Sequence, residues 1–176
     1  MAAERLLERQ ARTDDLTGLL NRREALGRID RLTTGEHRRG QREALLFCDL
    51  DRFKGTNDHY GHAAGDLVLC AVAERIRGFL RAEDLAARVG GDELLVVLRG
   101  VQCKENALTI AEKIRSAVQE PVLTPAGAVQ VSLSIGVTLV APGEGTDALI
   151  ARADAAMYEA KQEGRNRVIP IAAPAV

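Results

Sequence analysis

Leu85-Ala86-Ala87-Arg88-Val89-Gly90-Gly91-Asp92-Glu93-Leu94-Leu95-Val96-Val97-Leu98 is the stretch that decides the fold. Two short apolar runs, Leu85 to Val89 and Leu94 to Leu98, flank two glycines and two acids, a pattern that predicts a β-hairpin whose turn carries the carboxylates. Glycine there predicts the positive backbone angles of a tight turn. Upstream, Ala44 to Leu50 is continuously apolar rather than alternating, as in a strand buried on both faces, and Asp49-Leu50-Asp51 closes it. If that strand and the hairpin are neighbours in one sheet, Asp49 and Asp92 converge. Carboxylate and carbonyl oxygens brought together in this way suit a hard divalent cation such as magnesium.

Working outward, Asp14 to Gly18 reads as a turn, and Asn21 to Leu32 as a helix facing its core through Leu26 and Ile29. A polar, glycine-punctuated loop is expected from Asp51 to Gly65. It leads into a long helix carrying Leu69, Val72, Ala73, Ile76, Phe79 and Leu80. Ala107, Ile110, Ala111, Ile114 and Val118 mark a further helix, stopped before Pro121. Val129 to Val140 reads as strand. Thr146 is the expected N-cap of a helix through Leu149, Ile150, Ala153, Met157 and Ala160, with Gly164 just past its end, and Val168 to Ile171 is the last strand. The five strand-like runs interleaved with helices imply an α/β (α+β) fold, a central mixed five-stranded sheet covered by helices. Met1 to Arg12 reads as a connecting helix with Leu6 and Leu7 as its apolar contacts, or as a frayed helix packed on its own domain.

A chain of 176 residues, 46% of them apolar, has the content of one domain, with 13–172 as its body and 173–176 as a tail. A net charge of −1 with no basic stripe argues against nucleic acid as a partner. Cys48, Cys70 and Cys103 are odd in number and lie inside apolar patterns, so buried free thiols in a reducing compartment are expected. Lacking any apolar stretch of the roughly 20 residues needed to cross a bilayer, this segment is expected to be cytoplasmic, without direct membrane insertion.

The run Asp49-Leu50-Asp51-Arg52-Phe53-Lys54 continues into Asn57-Asp58, Gly61-His62 and Gly65-Asp66. With Gly90-Gly91-Asp92-Glu93, the opening Asp15-Leu16-Thr17-Gly18-Leu19-Leu20-Asn21-Arg22-Arg23 and the closing Gly164-Arg165-Asn166, it resembles the GGDEF family of diguanylate cyclases over nearly the whole chain. That resemblance implies a palm-like nucleotide-cyclase fold related to nucleotide polymerases. It also implies condensation of two GTP into cyclic di-GMP with release of pyrophosphate, magnesium (or manganese) as cofactor, and a homodimer in which each half-site holds one GTP.

The chemistry fits those residues. A 3′-oxygen can attack the α-phosphorus of a triphosphate only where cations neutralise the phosphates. By resemblance, Asp49, the Leu50 carbonyl and Asp92 hold the metal, and Asp92, Glu93 and Lys54 are catalytic, Glu93 contacting the ribose or aiding the attacking hydroxyl. Asp51 reads equally as a ligand and as a loop-ordering cap. Phe53-Lys54-Gly55-Thr56 is expected to form a turn whose amides bind phosphate. Lys161 and Arg165, four residues apart, match the family's phosphate-binding pair if the last helical turn persists; basic residues there otherwise serve the helix dipole. Asn57 and Asp66 match the guanine-reading pair, with a turn role and helix N-capping as their plain alternatives. Asp58 and His62 read as loop-ordering.

Arg81-Ala82-Glu83-Asp84 precedes the hairpin by the spacing of the family's product-inhibition site, where Arg81 and Asp84 would bind cyclic di-GMP; the alternative is an exposed ion pair. One departure stands out: Leu94 occupies the position where the family usually has phenylalanine. It is the sequence feature favouring a second account, a catalytically weak domain that senses GTP or cyclic di-GMP. A polymerase-like or adenylate-type cyclase is a third account, which leaves the guanine-directed pair and the Arg81/Asp84 pair unexplained.

Overall fold

A computed structural model describes residues 11–35 and 42–175. In chain order the elements are β1 (Leu20–Asn21), α1 (Arg22–Thr34), β2 (Arg42–Leu50), α2 (Phe53–Tyr60), α3 (His62–Arg77), β3 (Leu85–Arg88), β4 (Glu93–Val101), α4 (Lys104–Val118), β5 (Val122–Thr124), β6 (Gly127–Val129), β7 (Leu133–Leu139), α5 (Thr146–Gln162) and β8 (Arg167–Ile171). The connecting helix expected over Met1 to Arg12 falls almost wholly outside the described residues, and Ala11 and Arg12 themselves are in a turn.

The main sheet has the order β1-β3-β4-β2-β7-β8, with the continuously apolar β2 near its centre. Its inner pairings are antiparallel, whereas β1 and β8 run parallel to their neighbours, so the sheet is mixed as expected. Alternation along β2 sorts the two faces. Ala44, Leu46, Cys48 and Leu50 pack with α3 and α4 on one face. Leu45 and Phe47 pack with α1 and α5 on the other. Asp49 shares the parity of Leu45 and Phe47, which turns it toward the α5 side.

The sheet has six strands rather than five, because the two-residue β1 adds an edge too short to leave a periodic signal. The strand expected over Val129 to Val140 is divided: Val129 ends β6 of a small separate hairpin, and β7 begins at Leu133. The loop expected from Asp51 to Gly65 is largely helical, being α2 and the start of α3. Weak local propensity there is overridden by packing. Phe53 is buried, and a methyl group at Gly65 would come within 1.8 Å of the Asn57 Oδ1, so glycine is what lets α2 and α3 approach. Asp66 therefore lies inside α3, whose N-cap is Gly61, and is not itself a cap.

Smaller differences follow the same logic. Helix α3 stops at Arg77, leaving Phe79 exposed. Gly145, not Thr146, caps α5, and Asn21 caps α1 through a side chain that accepts the Glu24 amide at 2.9 Å. The three cysteines are free, but only Cys48 is buried; Cys70 is half-buried and Cys103 is exposed at the start of α4.

Candidate active site

Strand pairing places Asp49 directly opposite Glu93, and the Leu50 amide donates to the Asp92 carbonyl at 3.0 Å. The end of β2 and the root of the hairpin are therefore one structural unit. Oxygens of Asp49, Asp92 and Glu93 lie within 4.8 Å of one another. Three carboxylates this close repel unless something positive intervenes.

One cation does so from above. Lys161 Nζ sits 2.8 Å from Asp49 Oδ2. It is delivered by α5, which packs so closely on β7 that a methyl group at Gly136 would lie 2.2 Å from the Ala153 carbonyl oxygen. Glycine at that strand position draws the helix onto the sheet and carries its last turn over the end of β2. Lysine does not satisfy the whole group: Asp49 Oδ1 is buried with no hydrogen-bond partner. Burial pushes the Asp49 carboxyl up to about 6, with Asp92 and Glu93 adding to the effect and Lys161 opposing it. A buried carboxylate oxygen lacking a donor, beside two further carboxylates, has the donor chemistry of a hard-cation site.

Asp51, two residues on, is equally buried but fully engaged. Its Oδ1 accepts from Ser134 Oγ at 2.6 Å, and its Oδ2 accepts from Ser132 Oγ at 2.6 Å and from the Asn166 amide at 3.0 Å. Of the two readings left open by the sequence, the structure supports the ordering one. Asp51 ties β7 to the turn that follows α5.

That turn decides where Arg165 lies. Helix α5 ends at Gln162, Gly164 has φ 120°, and the Arg165 amide closes back onto the Ala160 carbonyl at 2.9 Å. This six-to-one bond with glycine in the left-handed position is a Schellman cap, and Gly164 lies just past the helix end as expected. Arg165 thus does not share a helical face with Lys161. It lines a cavity of about 480 Å³ with Arg52 and Thr56.

Phe53-Lys54-Gly55-Thr56 is the first turn of α2 rather than a free loop, and Lys54 and Gly55 are exposed on it. A helix start still offers amides without intrahelical acceptors. The Asn57 carboxamide lies against Gly65, the residue before the exposed Asp66, so the two guanine-directed candidates are neighbours across the α2/α3 junction.

The family profile described as diguanylate cyclase, GGDEF domain, matches residues 11–167. The chain belongs to the GGDEF family. It is 45% identical over 161 residues to diguanylate cyclase TpbB of Pseudomonas aeruginosa, covering 90% of this chain and 37% of that protein. It is 41% identical over 165 residues to the response regulator PleD of Caulobacter vibrioides, covering 92% and 36%. The chain thus spans about a third of the length of these relatives. Among solved structures, the coiled coil and GGDEF domain of DgcB from Caulobacter crescentus, in complex with c-di-GMP, superposes with a TM-score of 0.90 at 32% identity, covering 97% of this chain and 91% of that one. The GGDEF domain of TpbB superposes with a TM-score of 0.83 at 44% identity, covering 90% and 93%.

The hairpin of this GGDEF domain departs from the expectation drawn from its sequence: the turn glycines, Gly90 and Gly91, do not have positive φ. The turn is wider than two residues, with the Val89 and Gly90 amides both aimed at the Glu93 carbonyl, so no mirror-image turn is required. It is shaped instead by Arg88, which donates to the carbonyls of Gly90 at 3.2 Å and Gly91 at 2.8 Å and pairs with Asp14 at 3.3 Å. Burial pushes the Asp14 carboxyl up, but the Thr17 hydroxyl and amide together with Arg88 outweigh it and hold it below the usual range. Only the apolar context around Arg88 hinted at this: a lone arginine in a strand must send its charge somewhere.

On the far side of the domain, Asp84 Oδ2 accepts the Arg81 amide at 2.8 Å and its Oδ1 accepts the Arg99 amide at 2.9 Å. Asp84 thereby fixes its loop, and the exposed Arg81 lines a cavity of about 380 Å³ together with Asp84, Arg99 and Asn106. Leu94 faces the core, as expected, in the cluster that contains Phe53. Among the described residues, no helix is long and apolar enough to cross a membrane.

Proposed function

We propose that residues 13–172 form a diguanylate cyclase domain that condenses two GTP into cyclic di-GMP with release of pyrophosphate, acting as a homodimer. The observation that carries this reading is the unpartnered, buried Asp49 Oδ1 beside the Asp92 and Glu93 carboxylates. Asp49, Asp92 and the Leu50 carbonyl would hold magnesium or manganese. Such a cation neutralises triphosphate charge and acidifies the attacking 3′-hydroxyl.

The remaining assignments concern the chain's own groups. Glu93, opposite Asp49, is directed at the ribose and its hydroxyl. Lys161, Lys54 and Arg165, with the amides at the start of α2 beside Phe53, bind phosphates as charge-assisted donors. Asn57 and Asp66 select guanine, because a base lacking its pattern of donors and acceptors would leave them unpaired. Each protomer binds a single nucleotide, so the two half-sites must face each other across a two-fold axis, and a monomer is inactive. Product binds at Arg81 and Asp84 and restrains turnover; the c-di-GMP held by the DgcB structure supports the ligand class. The location is cytoplasmic.

Incubation of concentrated protein with GTP and magnesium, followed by chromatography, tests this reading. Cyclic di-GMP and pyrophosphate are expected. Their absence, with product binding retained and dependent on Arg81 and Asp84, would establish the sensor account instead.

A further inference from the structure

Among the described residues, three that are not glycine have left-handed backbone: Arg52 (φ 53°), Arg165 (φ 65°) and Asn166 (φ 47°). All three line the same cavity of about 480 Å³. Side-chain-bearing residues adopt this conformation only where their surroundings enforce it, and they cluster at ligand sites.

The enforcing contacts are visible on one wall. Asp51 holds the Asn166 amide, and the Arg165 amide is closed onto Ala160, so the turn carrying the Arg165 guanidinium is locked. Arg52 is the residue from which α2 starts; it is exposed and lines the same cavity as Thr56. The charged groups that line this cavity are Asp51, Arg52 and Arg165. Asp51 already accepts three hydrogen bonds, leaving two guanidinium groups without a matching anion inside the cavity. Planar guanidinium forks suit phosphate oxygens, which they can grip two at a time.

We propose that Arg52 is a further binding residue for the polyphosphate end of the nucleotide. Together with Arg165 it holds the terminal phosphate before reaction and the pyrophosphate afterwards. This inference rests on the GTP-condensing reading above and adds to it a residue that contributes through its side chain, not only through the amides beside it.

The test is calorimetry on the intact chain with magnesium, using a non-hydrolysable GTP analogue, pyrophosphate and GMP as probes. For Arg52→Ala, affinity for the analogue and for pyrophosphate should fall by roughly 3- to 10-fold, the scale of one exposed charge-assisted contact, while GMP affinity stays unchanged. Arg52→Lys should recover part of the loss. Arg52→Gly, which adopts the left-handed conformation freely, should match the alanine variant and guards against a folding defect. Unchanged analogue binding in the alanine and glycine variants would overturn the assignment, as would equal losses for analogue and GMP. If the wild-type chain makes cyclic di-GMP while these variants bind normally, only the Arg52 assignment falls; if the wild type binds no guanine nucleotide, the cyclase reading falls with it.

Discussion

Asp49 and Asp51 stand two residues apart at the end of β2, are equally buried, and have opposite electrostatic situations. Asp51 is satisfied by two serine hydroxyls and a backbone amide. Asp49 has one lysine, an oxygen with no partner, and two more carboxylates within 4.8 Å. Burial alone therefore does not distinguish a structural acid from a functional one; the inventory of donors does. The satisfied acid fastens two segments together, and the unsatisfied one keeps coordination capacity at a cost in stability.

The largest effects should come from the acidic corner. Asp92→Ala is expected to lower turnover by on the order of 10³-fold or more while circular dichroism stays native, since an anionic cation ligand is lost from a half-buried position on the hairpin turn rather than from the core. A variant retaining substantial cyclic di-GMP synthesis would erase the distinction between the two aspartates.

Asp51→Ala should act in the other currency, stability. Removing an acceptor that serves three donors is expected to cost about 2 to 4 kcal/mol in urea unfolding, with a weaker grip on GTP as the Arg165 turn loosens. Asp51→Asn should recover much of this. A fully stable Asp51→Ala chain would show that the network is incidental.

The pH response sharpens the contrast further. Asp49 is pushed up to about 6, so the metal-free folded state holds a proton that the unfolded chain gives up at lower pH. The stability this contributes is fully present below the unfolded pKa and is lost as pH rises through about 6. Metal-free protein should accordingly lose stability between about pH 4 and 6, and Asp49→Asn should abolish that slope whereas Asp51→Asn should not. The smallest change is expected from Arg81→Ala: initial turnover retained, inhibition by added cyclic di-GMP lost, fold unaffected.

Much of this was legible in residue order. The buried strand announced itself by a continuous apolar run, the hairpin by two such runs around its glycines, and the longer helices by period, and the convergence of Asp49 with Asp92 followed from placing those runs side by side. What was hidden was set by tertiary contacts without a local signal. Helix α2 forms from a glycine-punctuated polar segment because Phe53 is anchored and Gly65 yields space to Asn57. Arg88 shapes the hairpin from within a strand, and Gly136 draws α5 down onto the sheet. Whether Arg165 shares a helical face with Lys161 depended on the last turn of α5; Gly164 ends the helix, and Arg165 lines a cavity with Arg52 instead.

The most direct trial of the account is titration of manganese, as a magnetic surrogate for magnesium, into the wild-type, Asp49→Asn and Asp51→Asn proteins in the presence of a non-hydrolysable GTP analogue. Wild type and Asp51→Asn should bind the ion with similar affinity, and Asp49→Asn should lose at least about tenfold, the effect of removing one anionic ligand. Equal binding by all three proteins would contradict the claim that the unpartnered Asp49 oxygen marks the cation site.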